Sequence, residues 1–299
     1  LSVFMTILIA HELEWISDRF SFVFDMSSGM ICGIITIFLM GLYDDLRPAP
    51  AWLKLLFQFC AAGIVVYSGV RFDVTSPLGE GTIDLGLFAV PVTVLWIIVV
   101  TNAFNLIDGL DGLAAGLGII AAITSAAIFG FLGATLSDSA LLLILAGALA
   151  GFLRYNFYPA SIFLGDSGSQ VIGFALAILS IAESQKLGHA LPAVIPLLIF
   201  GLPILDILLS MVRRALKTGE FQNQRSISPM RWVHSSMRMF ESDLDHVHDR
   251  LLAMGLTHPV AVLMLYALAS GLSLLAIIAV IADYRNAGAI LLIVFLVAY

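Results

Sequence analysis

The chain has 299 residues, of which 60% are hydrophobic and only 12% are charged, and its mean hydropathy is +1.03. A soluble domain carries about 25% charged residues, so this composition excludes a soluble enzyme and a disordered protein and indicates an integral membrane protein. The formal net charge of −7 gives no reason to expect a nucleic-acid partner.

Apolar segments recur along the whole chain at lengths suited to membrane helices. A bilayer core about 30 Å thick requires roughly 20 apolar residues in a helix. We therefore expect an all-α integral membrane protein, a polytopic bundle of about ten transmembrane helices that forms a single domain over 1–299. Because the chain begins at Leu1 within an apolar segment, we also expect it to be truncated at its N terminus. The predicted spans lie at about 1–10, 28–43, 52–70, 86–104, 112–133, 138–153, 168–183, 189–212, 259–282 and 286–299.

The connections between the spans alternate in charge. Most basic residues fall in the connections 44–51, 154–167 and 213–258, and basic residues accumulate on the cytoplasmic side of a membrane. We therefore expect these connections, together with 102–111, to face the cytoplasm, with 213–258 as a long cytoplasmic loop within the domain. On the opposite side, 71–85 contains Pro, Gly and alternating β-branched residues, which predict a small hairpin.

Three groups of acidic residues lie at the cytoplasmic ends of predicted spans: Asp44 with Asp45, Asp108 with Asp111, and Asp166. Acids close to membrane segments are costly and are functional candidates by default. Adjacent carboxylates repel each other unless a cation neutralises them, and i, i+3 spacing places Asp108 and Asp111 on one helix face if that stretch is helical. Oxygen ligands without cysteine favour Mg²⁺ or Mn²⁺ over Zn²⁺. The alternative is that the acids are helix caps and solvated loop charges.

Glycines flank these acids, at Gly109, Gly112, Gly165 and Gly168. Glycine permits close approach of the backbone to a ligand, and helix starts at about 112 and 168 would direct free N–H groups at an anion. The alternative is helix packing by small residues, which we expect for Gly116, Gly147 and Gly151 because of their four-residue spacing.

Two histidines, His246 and His248, lie beside acids in the segment DLDHVHDRLL. Residues at i, i+2 do not share a helix face, so the pattern does not favour a zinc site. Phosphate binding or proton transfer is the functional interpretation, and a solvated loop histidine is the alternative.

Four sequence blocks, in this order, resemble the polyprenyl-phosphate N-acetylhexosamine-1-phosphate transferase family. The blocks are GLYDDLRPAPAWLKLLFQ at 41–58, NAFNLIDGLDGLAAG at 102–116, FLRYNFYPASIFLGDSGSQVIG at 152–173 and DHVHDRLLAMGL at 245–256. The resemblance implies that a UDP-N-acetylhexosamine and a polyprenyl phosphate react, with Mg²⁺ or alternatively Mn²⁺, to give a polyprenyl-diphospho-sugar and UMP. This chain departs from the family pattern at Asp249, where the histidine motif usually has a second adjacent histidine.

The resemblance also implies roles for individual residues near the reacting phosphates. Asp44 would be the base that deprotonates the lipid phosphate, and Asp45 would support it; a covalent role for an aspartate stays open. Asn105 and Asp166 would bind the metal ion.

Further residues would, by the same resemblance, hold the substrates. Asp108 and Asp111 would hold the nucleotide or the outer shell of the metal, with Asp108 counted among the catalytic residues. Asn156 and Phe163 would contact uracil, Phe163 by stacking. The residues that would engage phosphates are Lys54, His246 and His248, of which His246 is also counted as catalytic.

The long loop at 213–258 and its His-x-His motif favour UDP-GlcNAc as the donor. The same chemistry with UDP-N-acetylmuramoyl-pentapeptide or a 6-deoxy-hexosamine is the alternative within the class. A secondary transporter is the alternative from another class, but it would have midplane polar groups and internal repeats. We expect a multi-pass protein of the inner (plasma) membrane with its active site on the cytoplasmic face, in contact with membrane lipid; a homodimer is left open.

Overall fold

The computed structural model describes residues 28–72, 85–134, 139–186, 194–210 and 246–281, and within these ranges the chain forms helices and no strands. A 3₁₀ turn at Gly86–Phe88 precedes the third helix. The helices are α1 (Ser28–Leu46), α2 (Ala51–Tyr67), α3 (Ala89–Ile107), α4 (Leu113–Phe131), α5 (Ala140–Asn156), α6 (Gly165–Lys186), α7 (Val194–Ile199), α8 (Gly201–Ser210), α9 (Val247–Ala253) and α10 (His258–Ile281).

Five of the described helical segments are long and apolar enough to cross a membrane. For the described residues this confirms the expected all-α, multi-pass membrane architecture, while the count of ten spans stays a prediction. The five segments are Ser28–Leu46, Gly86–Ile107, Leu113–Phe131, Gly165–Ala182 and His258–Ile281, and α2, α5 and α8 are apolar but shorter. The predicted spans at 1–10 and 286–299, the hairpin beyond Phe72 and most of the loop 213–258 lie outside the described residues.

Several helices extend about one turn beyond the apolar segment that predicted them. α3, for example, continues beyond its predicted end at 104 through Asn105 to Ile107. The Asn105 amide donates to Ser169 Oγ of α6 at 3.0 Å. Hydropathy therefore marks where the apolar face ends, whereas the helix continues for as long as its polar side chains find partners.

Helix α6 lies at the centre of the bundle and packs against α1, α3 and α4. α4 in turn packs against α5 and α10, and α1 against α2. The core is continuous across these contacts, with fully buried Phe104, Phe129, Phe174 and Phe200. Because α1 and α3 each pack against both α2 and α6, the ends of these four helices on one side of the bundle are brought close together.

Close approach of the helices depends on glycine at specific positions. A Cβ at Gly173 of α6 would lie 2.8 Å from the Val100 carbonyl oxygen and 2.9 Å from Thr101 Cα of α3. Gly116 packs against the Tyr266 ring, as predicted from its spacing, but Gly147 and Gly151 have no neighbour within 4 Å among the described residues. The packing role predicted for Gly147 and Gly151 is therefore not seen among the described residues.

We expect Gly173→Ala to lower the stability of the protein by about 1–3 kcal/mol, because backbone atoms cannot move aside as a flexible side chain can. Gly147→Ala is the matched control, since it adds the same methyl group within a helix at a position where no described residue is in contact. Thermal unfolding of the detergent-solubilised protein measures both. Equal unfolding temperatures for the two variants would contradict the close contact between α3 and α6.

Candidate active site

The centre of the candidate site is a lysine held between two aspartates from remote parts of the chain. Asp44 lies in the last turn of α1, Lys54 in the first turn of α2 and Asp166 in the first turn of α6. Lys54 Nζ forms an ion pair with Asp44 Oδ2 and donates to Asp166 Oδ2 at 2.7 Å. The Ala49 N–H donates to the other oxygen of Asp44 at 2.6 Å. Two of the three predicted acidic groups therefore meet around one positive charge.

Asp45, the neighbour of Asp44, caps the N terminus of α6. Its Oδ1 accepts the Asp166 N–H at 2.7 Å, and its Oδ2 accepts the Ser167 hydroxyl at 2.6 Å and the Ser167 N–H at 3.2 Å. The carboxylate comes this close because Gly165 has a φ of +66° and no Cβ, which would lie 2.8 Å from Asp45 Oδ2.

The cap changes the prediction for the start of α6. The helix begins at Gly165 and not near 168. The free N–H groups at the start of this helix were expected to face an anionic ligand. Those of Asp166 and Ser167, in its first turn, are bonded instead to the Asp45 carboxylate. Asp45 thereby fixes the helix turn that carries Asp166.

Asp108 and Asp111 lie in the connection between α3 and α4, which is not a continuous helix, so the predicted common helix face does not exist. Asp108 nevertheless faces the same cluster. Its burial, followed by the negative charges of Asp166, Asp111 and Asp45, raises the pKa of Asp108 to about 7. A carboxyl group with such a pKa exchanges its proton near neutral pH, which suits general acid–base chemistry.

The loop after α5 is hydrogen-bonded to the connection between α3 and α4 that contains Asp111. Asp111 Oδ2 accepts the Ala160 N–H at 3.0 Å. The buried Asn156 amide accepts the Gly112 N–H at 3.1 Å and donates to the Ile162 carbonyl at 2.9 Å. Phe163 follows this loop and is 74% exposed, so its ring is available for stacking. The uracil contacts of Asn156 and Phe163 stay predictions, and the Asn156 amide already serves to join the two loops.

The residues expected to bind a metal ion lie side by side. Asn105 on α3 donates to Ser169 Oγ on α6 at 3.0 Å and adjoins Asp166, one turn before Ser169. Among the residues that the structure describes, no three Asp, Glu, His or Cys side chains are grouped closely enough to hold a metal ion. An amide and a carboxylate form an open pair of oxygen donors, and such a pair fits Mg²⁺ when substrate phosphates complete its shell.

A layer of amide side chains lies one helical turn below the charged residues, and the sequence analysis missed it. Gln58 Nε2 donates to Gln170 Oε1 at 3.2 Å, and Gln58 Oε1 accepts from Asn102. Gln58 and Gln170 are almost fully buried. The layer joins α2, α3 and α6 directly beneath Lys54, Asn105 and Asp166.

The two histidines lie where α9 begins. His246 is the N-cap residue and lies outside the helix, so its ring is parallel to that of His248, with centroids 5.6 Å apart. The rule that i, i+2 residues do not share a helix face does not apply to this pair, because only His248 lies within the helix. Burial, followed by the neighbouring charge of His246, lowers the pKa of His248, although nearby Asp249 opposes the change.

Asp206 on α8 is a further acid at this place, and the sequence analysis missed it. Asp206 Oδ2 accepts from His246 Nδ1 at 2.8 Å, and Oδ1 accepts the Val247 N–H at 2.8 Å. The signal was present in the sequence, because Asp206 interrupts the apolar segment LPILDILLS, and an intramembrane acid is a functional candidate by default.

Comparison with known proteins identifies several similar proteins that are named as transferases. A protein of Bacillus subtilis (strain 168) named as a probable undecaprenyl-phosphate N-acetylglucosaminyl 1-phosphate transferase is 38% identical over 247 residues, covering 82% of this chain and 64% of the relative. The decaprenyl-phosphate N-acetylglucosaminephosphotransferase of Mycobacterium leprae (strain TN) is 31% identical, covering 98% of this chain and 74% of the relative. The phospho-N-acetylmuramoyl-pentapeptide-transferase of Thermoanaerobacter sp. (strain X514) is 38% identical over 56% of this chain and 55% of the relative.

These relatives share most of this chain, although the chain spans only about two thirds of the length of the first two. A family model described as glycosyl transferase family 4 matches residues 27–184. The matched region contains Asp44, Lys54, Asp108 and Asp166, which the bundle brings to one end. The chain therefore belongs to glycosyl transferase family 4.

Proposed function

We propose that the protein transfers N-acetylglucosamine 1-phosphate from UDP-GlcNAc to undecaprenyl phosphate or a related polyprenyl phosphate and releases UMP. The observation that carries the proposal is the meeting of Asp44, Lys54 and Asp166 at one end of an apolar bundle whose sequence matches transferases of this kind. The reaction brings a lipid phosphate up to a diphosphate, so the site must hold several negative charges together. Lys54 supplies positive charge between the two carboxylates for this purpose.

Asp44 accepts the proton of the lipid phosphate in the proposed reaction. The freed phosphate oxygen forms a bond to the phosphorus that carries the sugar, and the bond from that phosphorus to UMP breaks. Asp44 suits this role because its Oδ1 is fixed by the Ala49 N–H and its Oδ2 lies at Lys54. Asp45 supports the base indirectly, since it holds the turn that carries Asp166.

Asn105 and Asp166 are the residues that would hold Mg²⁺, or alternatively Mn²⁺. Bound there, the ion would neutralise charge on the diphosphate. In this proposal Asp108 and Asp111 contact the nucleotide or the water shell of the ion. Phe163 stacks on uracil with its exposed ring, and the phosphates are engaged by Lys54, His246 and His248.

The proposed setting is the inner (plasma) membrane, with the site on the cytoplasmic face. Nucleotide sugars are made in the cytoplasm, and basic connections flank the site residues in the sequence. The polyprenyl tail would lie against the apolar outer faces of the helices, where side chains such as Leu39, Trp52 and Phe59 are exposed. A homodimer stays open.

The choice of N-acetylglucosamine rests on the extent of the matches. The two relatives named for N-acetylglucosamine cover 82% and 98% of this chain, against 56% for the N-acetylmuramoyl-pentapeptide transferase. UDP-N-acetylmuramoyl-pentapeptide and 6-deoxy donors remain the alternatives that the experiment must include. A transporter is disfavoured because the acids gather at one end of the bundle.

The test is UMP release by the purified full-length protein, supplied with undecaprenyl phosphate, Mg²⁺ and each UDP-sugar in turn. We expect UMP and a lipid-linked sugar with UDP-GlcNAc, and much less with the other donors. Preference for another UDP-hexosamine would correct the donor alone. Binding of UDP-sugars without UMP release from any of them would contradict the transferase function.

A further inference from the structure

A buried carboxylate lies behind the histidine motif and takes no part in the mechanism described so far. Asp206 is 1% exposed and lies in the apolar helix α8. A buried carboxylate is costly unless its oxygens are bonded, and both oxygens of Asp206 are bonded to the start of α9, one to a ring nitrogen and one to a backbone N–H.

His246 is held at more than one point by this arrangement. Its Nδ1 lies 2.8 Å from Asp206 Oδ2, and its own backbone N–H donates to Asp249 Oδ2 at 3.3 Å. Through this capping contact the Asp249 carboxylate closes the first turn of α9. This explains why the chain can have an aspartate where the family motif usually has a second histidine. The His246 imidazole is therefore positioned both by the contact to its ring nitrogen and by the contact to its backbone N–H.

The ring of His246 in turn lies parallel to that of His248, which reaches the α3–α4 connection. A Cβ at Gly109 would collide with the His248 imidazole, so the ring occupies the space that this glycine leaves beside Asp108. His248 is 6% exposed, and its Nδ1 has no hydrogen-bond partner among the residues that the structure describes. Contacts thus run from Asp206 through the two rings to the acidic cluster.

We infer that Asp206 is a positioning residue of the site, which fixes the tautomer and orientation of His246. A carboxylate that accepts a hydrogen bond from Nδ1–H keeps the proton of the neutral ring on Nδ1. Nε2 is then the atom that can accept a proton and, once protonated, donate a hydrogen bond to a phosphate oxygen. The inference rests on the proposed function for its consequence, since His246 is expected to engage substrate phosphates. The tautomer itself does not depend on that function.

The tautomer is measured by solid-state NMR of the full-length protein labelled with ¹⁵N-histidine. The chain has six histidines, and the resonances that disappear in His246→Gln belong to His246. We expect His246 to carry its proton on Nδ1 in the wild type, with that resonance shifted in Asp206→Asn. A neutral His246 protonated on Nε2 alone would overturn the inference, whether or not the protein has transferase activity.

The kinetic test compares UMP release by Asp206→Asn, Asp206→Glu and the double variant Asp206→Asn with His246→Gln. We expect Asp206→Asn to reduce kcat/KM by about 10–100-fold and Asp206→Glu to recover most of that loss, as for other residues that orient a functional histidine. In the His246→Gln background Asp206→Asn should have almost no further effect. Ser210→Ala, a second buried polar residue of α8, should behave as the wild type.

Two kinetic results would count against Asp206 as a positioning residue. One is wild-type kcat/KM in Asp206→Asn, and the other is an undiminished loss from Asp206→Asn when His246 is already glutamine. Absence of UMP release in the wild type would instead contradict the proposed function, and the NMR measurement would then decide the inference alone.

Discussion

Replacing Lys54 with methionine is expected to lower kcat for UMP release by about 10²–10³-fold, the range found when one electrostatic donor is removed from an active site. Lys54 Nζ is bonded to both Asp44 and Asp166. Without it the two carboxylates repel each other and the phosphates that must approach them. Methionine keeps an unbranched, flexible side chain of nearly the same length and removes the charge together with the N–H donors of Lys54.

Lys54→Arg is the informative second variant. Arginine keeps the charge, but its planar guanidinium cannot replace a compact ammonium group between two carboxylates, so we expect partial activity. Leu56→Met, an exposed position on the same helix, is the control for a methionine in α2. Wild-type kcat in Lys54→Met would show that the ion pairs serve neither the charge balance nor the substrates.

Replacing Asp45 with alanine is expected to affect both stability and turnover. Loss of an N-cap carboxylate costs about 0.5–2 kcal/mol. The first turn of α6 carries Asp166, and a displacement of about 1 Å at a reacting group can lower the rate about 100-fold. Asp45→Asn keeps an oxygen that accepts the Asp166 N–H, so it should retain more of both properties. Thermal unfolding and UMP release measure the two effects.

The control for the cap is Ser139→Ala. Ser139 is the N-cap residue of α5, but its side chain makes no capping hydrogen bond, so we expect an unchanged unfolding temperature. If Asp45→Ala unfolds at the wild-type temperature and still loses its activity, Asp45 acts directly on a substrate and not through α6.

The fold was largely predictable from the sequence because the bilayer fixes the length of an apolar helix. The predicted segments 28–43, 112–133 and 259–282 correspond to α1, α4 and α10 with ends that differ by at most three residues. The largest difference is at the end of α1, where Asp44 and Asp45 stay helical while their side chains bond to other helices.

The meeting of the acids was also predictable, because topology places Asp44 and Asp166 at helix ends on the same side. Their partners were not. Hydropathy gives no information on which carboxylate caps a helix and which accepts a lysine, so the different contacts of Asp44 and Asp45 require the packing of α1 against α6. In the same way, Gln58 and Gln170 are isolated polar residues in the sequence and partners only in the bundle.

Asp206 shows a different limit. Its isolation in an apolar segment was a sufficient signal, whereas the acidic groups predicted as functional all lie at the ends of spans. Its partner, His246, lies 40 residues further along the chain. No local pattern could have joined the two.

The most direct test of this account is a double-mutant cycle between Asp44→Asn and Asp166→Asn, with kcat/KM for UMP release as the readout. Groups that act as one catalytic unit are strongly non-additive. We therefore predict that the double variant is no slower than the slower of the two single variants. Losses that multiply in the double variant would show that the two aspartates act independently, and would contradict the single charge cluster around Lys54.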